Sequence, residues 1–229
     1  MAELKRNRLR AEVADETDIP RLMEIQFRAF ANEPTGAMLN GPDTAEKRDE
    51  AGERLRWQMR NDPTLHVIKC LLTVDDDCGS DGAPTSAAAV AAGFCMWNIY
   101  VQERVPEEWM KGHELMAGDW VEPADKRDAV KEVLRIMEDG RRRTMQGRPY
   151  ALLMYMCVDP AYWRRGVGGT LLKWGMARCD ELGIPGYLEA SDMGYPMYKH
   201  YGWRDTKEPL MVPLDGKMVK YPTLLWGKY

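Results

Sequence analysis

Between Asp159 and Thr170 the chain reads Asp-Pro-Ala-Tyr-Trp-Arg-Arg-Gly-Val-Gly-Gly-Thr. An apolar run, Tyr150 to Val158, precedes this segment, and an amphipathic run follows it. Glycines at such a junction let the backbone turn tightly and approach a ligand, and the free N–H groups of a helix start attract anions. Arg164 and Arg165 add positive charge where a pyrophosphate would sit. A Gly-rich turn carrying a solvated arginine pair is the plainer alternative. Two common phosphate motifs fit less well. The P-loop needs Lys-Ser/Thr directly after its last glycine, and none follows here. The dinucleotide fingerprint G-x-G-x-x-G meets Leu171 at its third glycine and wants its first glycine directly after the strand, whereas residues 159–165 intervene; Glu189 alone imitates its ribose-binding acid.

Other reactive side chains point to less. The five cysteines (Cys70, Cys78, Cys95, Cys157, Cys179) form no C-x-x-C pair, and four lie in apolar runs where a thiol behaves as a small hydrophobe. His66, His113 and His200 are far apart and lack metal-ligand spacing, so no metal is expected. Asp75-Asp76-Asp77 lacks the spaced oxygen ligands of a calcium loop. Arg141-Arg142-Arg143 reads as the basic, solvated end of a helix, where positive charge suits the dipole.

The elements that must position these groups follow from periodicity. Leu9 to Val13 suggests a first strand. Asp15 to Pro20 is a helix start, followed by Leu22, Met23, Gln26, Phe27 and Phe30 at helical spacing. Asn32 to Asp43, with two prolines and two glycines, predicts a loop, and Thr44 to Arg60 a second helix. Strands are expected at Leu65 to Val74 and Ala87 to Tyr100, with Gly93 at a bulge, joined by an acidic hairpin loop from Asp75 to Ser86. Val101 to Pro123 has no clean period, and Asp125 to Arg143 is a helix. The nearly continuous apolar run Tyr150 to Val158 predicts a strand covered on both faces. Val167 to Leu182 then forms a helix closed by Gly183, and Gly186 to Ser191 another strand. A short helix, Pro196 to Tyr201, and two last strands, Trp203 to Val212 and Met218 to Trp226, complete the chain. The fold class expected is α/β: one domain spanning 1–229, a mixed sheet of about seven strands flanked by helices, and an insertion at about 101–143 after the third strand.

Composition narrows the function classes. With 45% hydrophobic residues among 229, the chain has ample material for a core. There is no apolar run of membrane-spanning length, and the polar first residues lack the apolar stretch of a secretory signal, so a cytoplasmic protein is expected. A net charge of −4 argues against nucleic acid as the main partner. Oligomeric state is not readable.

Met156-Cys157-Val158-Asp159-Pro160 followed by Arg164-Arg165-Gly166-Val167-Gly168-Gly169 resembles the coenzyme A loop of the GCN5-related N-acetyltransferases, whose pattern is apolar-x-Val-x-Pro and then [QR]-x-x-G-x-[GA]. Leu188-Glu189-Ala190-Ser191 is similar to that family's next strand, and Tyr198-Lys199-His200-Tyr201-Gly202-Trp203 to its Y-x-x-x-G-[FW]. The resemblance is strong over Tyr150 to Trp203 and weak elsewhere. Trp163 departs from the first [QR] position, and Ser191 and Asp192 stand where many relatives carry Asn.

The resemblance implies two parallel strands, ending at Val158 and Ser191, splayed around acetyl-CoA as co-substrate. Met156, Cys157 and Val158 would offer backbone N–H groups to the acyl carbonyl. Arg164, Arg165, Gly166, Val167, Gly168, Gly169 and Thr170 would hold the pyrophosphate, with Ser191 also at the cofactor. Tyr198 matches the general acid that protonates the leaving thiolate, and Glu189 a general base; His200 is a rival base pointing elsewhere. An amine, expected to be a small molecule, would attack the thioester directly, without an acyl-enzyme. Alternatives are a non-catalytic coenzyme A sensor of the same fold, or an enzyme acting on protein N-termini or lysines. Trp97, Tyr100, Trp109 and Trp120, with Met96, Met110 and Met116, then read either as an acceptor pocket or as core of the insertion.

Overall fold

A computed structural model describes residues 8–73, 89–109, 121, 124–214 and 216–228. In chain order these form β1 (Arg8–Val13), α1 (Ile19–Ala29), α2 (Pro34–Asn40), α3 (Ala45–Asn61), β2 (Leu65–Thr73), β3 (Val90–Tyr100), α4 (Pro106–Trp109) and α5 (Ala124–Met145). There follow β4 (Tyr150–Val158), α6 (Val167–Leu182), β5 (Gly186–Glu189), α7 (Tyr195–His200), β6 (Arg204–Asp205), β7 (Leu210–Leu214), β8 (Lys217–Tyr221) and β9 (Thr223–Trp226). Seven strands make one mixed sheet in the order β1-β2-β3-β4-β5-β9-β6, and β7 and β8 pair separately. The expected α/β class and seven-strand sheet are what the chain adopts.

Strand alternation sends side chains to two cores, one on each face of the sheet. From β3, Phe94 and Met96 pack with Leu22, Phe27 and Leu55 of α1 and α3. Cys95 and Trp97 point the other way, onto Val167, Leu171 and Cys179 of α6. The stripe Val167, Leu171, Gly175 and Cys179 is buried as its spacing predicts. Gly175 is required there because a Cβ would run into the Trp97 indole. Trp97 is therefore core, not pocket lining.

The ladder slips beside Gly93: Cys70 faces Gly93 but Leu71 faces Ala91, leaving Ala92 as the extra residue. A Cβ on Gly93 would also sit 2.7 Å from the Cys157 carbonyl.

Several expectations need correction. The predicted loop Asn32 to Asp43 contains α2. Pro34 fits its first turn, and Met38 and Leu39 pack against Val130 and Leu134 of α5, so tertiary burial outweighs the local turn signals. The two last strands are four. Pro222, with no N–H for a ladder, divides β8 from β9, and the polar stretch 206–209 divides β6 from β7. β5 stops at Glu189, and Ser191 already begins the turn into α7, its carbonyl accepting from the Gly194 and Tyr195 amides. The acidic loop Asp75 to Ser86, Cys78, and Met110, Met116 and Trp120 of the insertion lie outside the described residues.

Candidate active site

β4 and β5 run parallel but pair only at Ala151–Gly186, Leu152–Tyr187 and Leu153–Leu188. Beyond that point β5 keeps only its other neighbour, β9, with Glu189 facing Thr223, while β4 continues beside β3 until Val158 meets Gly93. The result is a V-shaped opening along the edge of β4 from Met154 onward.

A bulge decides which amides line that opening. The Ala151 N–H donates toward β5, to the Pro185 carbonyl at 2.9 Å, whereas the Asp159 N–H donates toward β3, to the Ala92 carbonyl at 3.0 Å. Both residues are odd-numbered, so the alternation reverses between them. The ladder shows where: Trp97 faces Leu153 and Met96 faces Tyr155, leaving Met154 as the extra residue. After the bulge the amides of Met156 and Val158 face the opening, and that of Cys157 faces β3. The buried Cys157 thiol, driven well above its ordinary pKa by burial, is no nucleophile.

The Gly-rich segment folds back at the end of β4. The Asp159 side chain, 2% exposed, accepts from the Ala161 amide at 3.0 Å and from Arg21 at 2.6 Å and Arg28 at 3.3 Å. Burial pushes the Asp159 carboxyl up, but those donors outweigh it and hold it below its ordinary value. The Trp163 indole N–H donates to the Val158 carbonyl at 2.9 Å, tying the loop to the strand. Arg164 takes φ 62° and Gly166 φ 87°, a left-handed turn that opens α6 with no side-chain cap. The first amides of α6 consequently have neither an intrahelical nor a capping side-chain partner, the arrangement that accepts a phosphate. Arg164 and Arg165 are exposed beside them, Arg165 lying 5.8 Å from the Tyr162 ring centre. Gly168 and Gly169 also have a packing reason: a Cβ would meet Met197 at the first and Tyr201 at the second.

Met156, Glu189, Ser191 and Tyr198 line one cleft beside the opening. Tyr198 is 6% exposed, packed near Trp203, and burial drives its hydroxyl pKa up, so it keeps its proton at neutral pH. His200 is exposed and stacks edge-on against Tyr201, away from the cleft lining.

Glu189 sits differently from its expected part as a free base. Its two oxygens accept from Arg141 Nε at 2.8 Å and Nη2 at 3.0 Å, a bidentate pair with side chains 6% and 10% exposed. Burial draws the Arg141 guanidinium down, and the Glu189 carboxylate more than restores it. This overturns the solvated reading of Arg141. Its position was legible: Val130, Leu134, Met137 and Arg141 fall on one helical stripe, so the arginine belongs to the packed face of α5.

A second missed group faces the same cleft. Glu33, just before α2, accepts from Tyr221 Oη at 2.7 Å, Thr35 Oγ1 at 3.1 Å and the Gly36 amide at 2.5 Å. No local motif marks it; only the fold brings Glu33 and Tyr221 together.

A family model, the Acetyltransferase (GNAT) family, matches residues 94–203, the stretch that carries β3, the bulged β4, the anion loop and Tyr198. Over that stretch, just under half of its length, the chain is similar to the GNAT family. An uncharacterized N-acetyltransferase of Schizosaccharomyces pombe is 39% identical over 67 residues, covering 29% of this chain and 28% of that one. The fold is similar to that of Drosophila melanogaster polyamine N-acetyltransferase, an enzyme that forms N-acetylagmatine (TM-score 0.60, 12% identity, 96% of this chain and 99% of the other). It is also similar to yncA of Salmonella typhimurium, solved with its cofactor acetyl-CoA (TM-score 0.53, 13% identity, 95% and 92%). Among the described residues, no group of His, Cys, Asp or Glu side chains is placed to hold a metal, and no helix is long and apolar enough to cross a membrane.

Proposed function

We propose that the protein transfers the acetyl group of acetyl-CoA to a primary amine of a small molecule in a ternary complex. The observation that carries this reading is the convergence on one opening of anion-accepting amides, inward-facing strand amides and a buried, protonated tyrosine. The α6 start and Arg164 to Thr170 suit a pyrophosphate, and the gap between β4 and β5, with Ser191 at its rim, suits a thin, extended arm. When bound, acetyl-CoA supplies an activated thioester. The Met156 and Val158 amides would stabilise negative charge on the acyl oxygen.

Glu33, whose carboxylate is held by three donors, would receive the acceptor's ammonium and take its proton, directly or through a water. The amine nitrogen then bonds to the acyl carbon, the C–S bond breaks as Tyr198 gives its proton to the departing sulfur, and the second proton lost by the nitrogen returns, through water, to the Tyr198 oxygen. Glu189, occupied by Arg141, serves to shape the cleft in this scheme.

The test is thiol release from acetyl-CoA over a panel of amines, beside thermal unfolding with and without acetyl-CoA. Ligand at about 100-fold over Kd adds roughly 2.7 kcal/mol. Amine-dependent thiol release is expected; stabilisation without release on any amine supports the sensor reading, and neither effect refutes both.

A further inference from the structure

We infer that the acceptor is an arylalkylamine, a single amine joined by a short chain to an apolar ring, and that Phe30 and Tyr155 seat that ring. The inference rests on the transfer reading and adds the substrate's chemical class to it.

The bulge in β4 makes the floor of the seat. With Met154 as the extra residue, Met154 and its neighbour Tyr155 both pack on the face of the sheet that carries α1 and α3, where regular alternation would send them to opposite faces. Phe30, at the end of α1, packs on the same cluster and meets Tyr155 edge-on, with ring centres 5.8 Å apart and planes at 77°. Phe30, Met154 and Tyr155 line the cleft that holds Glu33 and Tyr198, and each stays partly exposed there. Leu39 and Met137 extend this apolar surface. An incoming ring would bury it and add an edge-to-face or offset contact to the pair already present.

One turn sets ring and carboxylate side by side. The Glu33 amide donates to the Phe30 carbonyl at 3.1 Å, and the Gly36 amide donates to the Glu33 carboxylate. Gly36 is needed at that place because a Cβ would press on the Phe30 side chain. The group that receives the ammonium and the ring beside it are thus held by the same few residues, so a short chain suffices between nitrogen and ring in the acceptor.

Charge sets the number of amines. The described charged side chains lining the cleft are Glu33, Glu189 and Arg141, and the last two neutralise each other in their bidentate pair. One negative charge is left, which matches one ammonium. The adjoining chamber, which shares Leu39, Leu134, Met154 and Tyr155 with the cleft, adds Arg54 and Asp62, again one charge of each sign. A second ammonium on the acceptor would leave water for a lining whose described charges are already balanced, which is unfavourable.

The experiment compares kcat/KM for phenylalkylamines with one to four methylenes, n-alkylamines of matched length, and diamines whose second amine replaces the ring. The best phenylalkylamine should exceed the matched diamine by about 10- to 100-fold, the worth of burying a ring. It should exceed the matched alkylamine by about 2- to 10-fold, the worth of an aromatic contact beyond its area. That second ratio should fall toward one in Phe30→Leu, which keeps an apolar side chain without a ring, and persist in Phe30→Tyr. An acetyl-CoA-induced Tm shift in both variants shows that they fold, and the order of amines in wild type stands without them. A diamine turned over as well as the phenylalkylamine, an aryl-to-alkyl ratio near one, or a ratio indifferent to Phe30→Leu overturns this inference and leaves acetyl transfer standing. No turnover of any amine overturns both.

Discussion

Replacing Arg141 by Met removes a guanidinium that meets both oxygens of Glu189 at 2.8 and 3.0 Å. The carboxylate left behind is 6% exposed, so water reaches little of it. Removing one partner of a buried pair destabilises by about 3–5 kcal/mol, because the remaining charge is neither solvated nor paired. For a chain of this size each kcal/mol moves Tm by roughly 2–4 °C, so Arg141→Met should unfold roughly 6–20 °C lower. Glu189→Leu should fall in the same direction, leaving the guanidinium buried and unneutralised. The double variant Arg141→Met/Glu189→Leu restores an apolar contact of similar volume and should recover most of the loss or exceed wild type. Chemical denaturation of the four proteins, closed as a double-mutant cycle, gives the coupling energy directly. A single variant within about 1 kcal/mol of wild type, or additive losses in the double, would refute the argument that the insertion helix delivers a buried cation to the cleft.

Gly175→Ala should lose about 1–3 kcal/mol in the same assay, because its new methyl meets the Trp97 indole between α6 and β3. The Asp159 carboxyl is held below its unfolded value, so its contribution to stability is present above that value, 3.8, and is lost as pH falls through the folded one. Asp159→Asn should therefore be less stable at neutral pH and show a shallower acid limb in Tm against pH; an acid limb as steep as wild type counts against it. Glu33→Gln should lower kcat/KM for the best amine by about 10²- to 10⁴-fold, while acetyl-CoA still raises Tm.

The parts of the fold legible in sequence are those with a strong period. The stripe from Val167 to Cys179, the glycine after it, and the apolar run Tyr150 to Val158 lie where their patterns put them, because burial on one or both faces leaves the same mark in sequence as in space. Tyr198, Ser191 and Met156 do share one cleft. Short elements were less legible. α2 has a proline and a glycine and is helical because Met38 and Leu39 find partners on α5, and the last strands are divided by Pro222 and a polar stretch. Glu189 shows the limit most clearly: its position on a strand suggests an available carboxylate, but availability depends on Arg141, 48 residues away. Glu33 lies 188 residues from Tyr221, and nothing local announces that the two meet.

The central claim is that a buried tyrosine gives its proton to the departing thiolate in an opening between β4 and β5. The most direct measurement is the rate of thiol release from acetyl-CoA, with a saturating amine, by wild type and Tyr198→Phe. The phenylalanine keeps the ring packed near Trp203 and removes only the hydroxyl. The account predicts a fall in kcat of about 10²- to 10⁴-fold with the acetyl-CoA-induced Tm shift retained. An undiminished kcat in a folded, acetyl-CoA-binding Tyr198→Phe protein would contradict it.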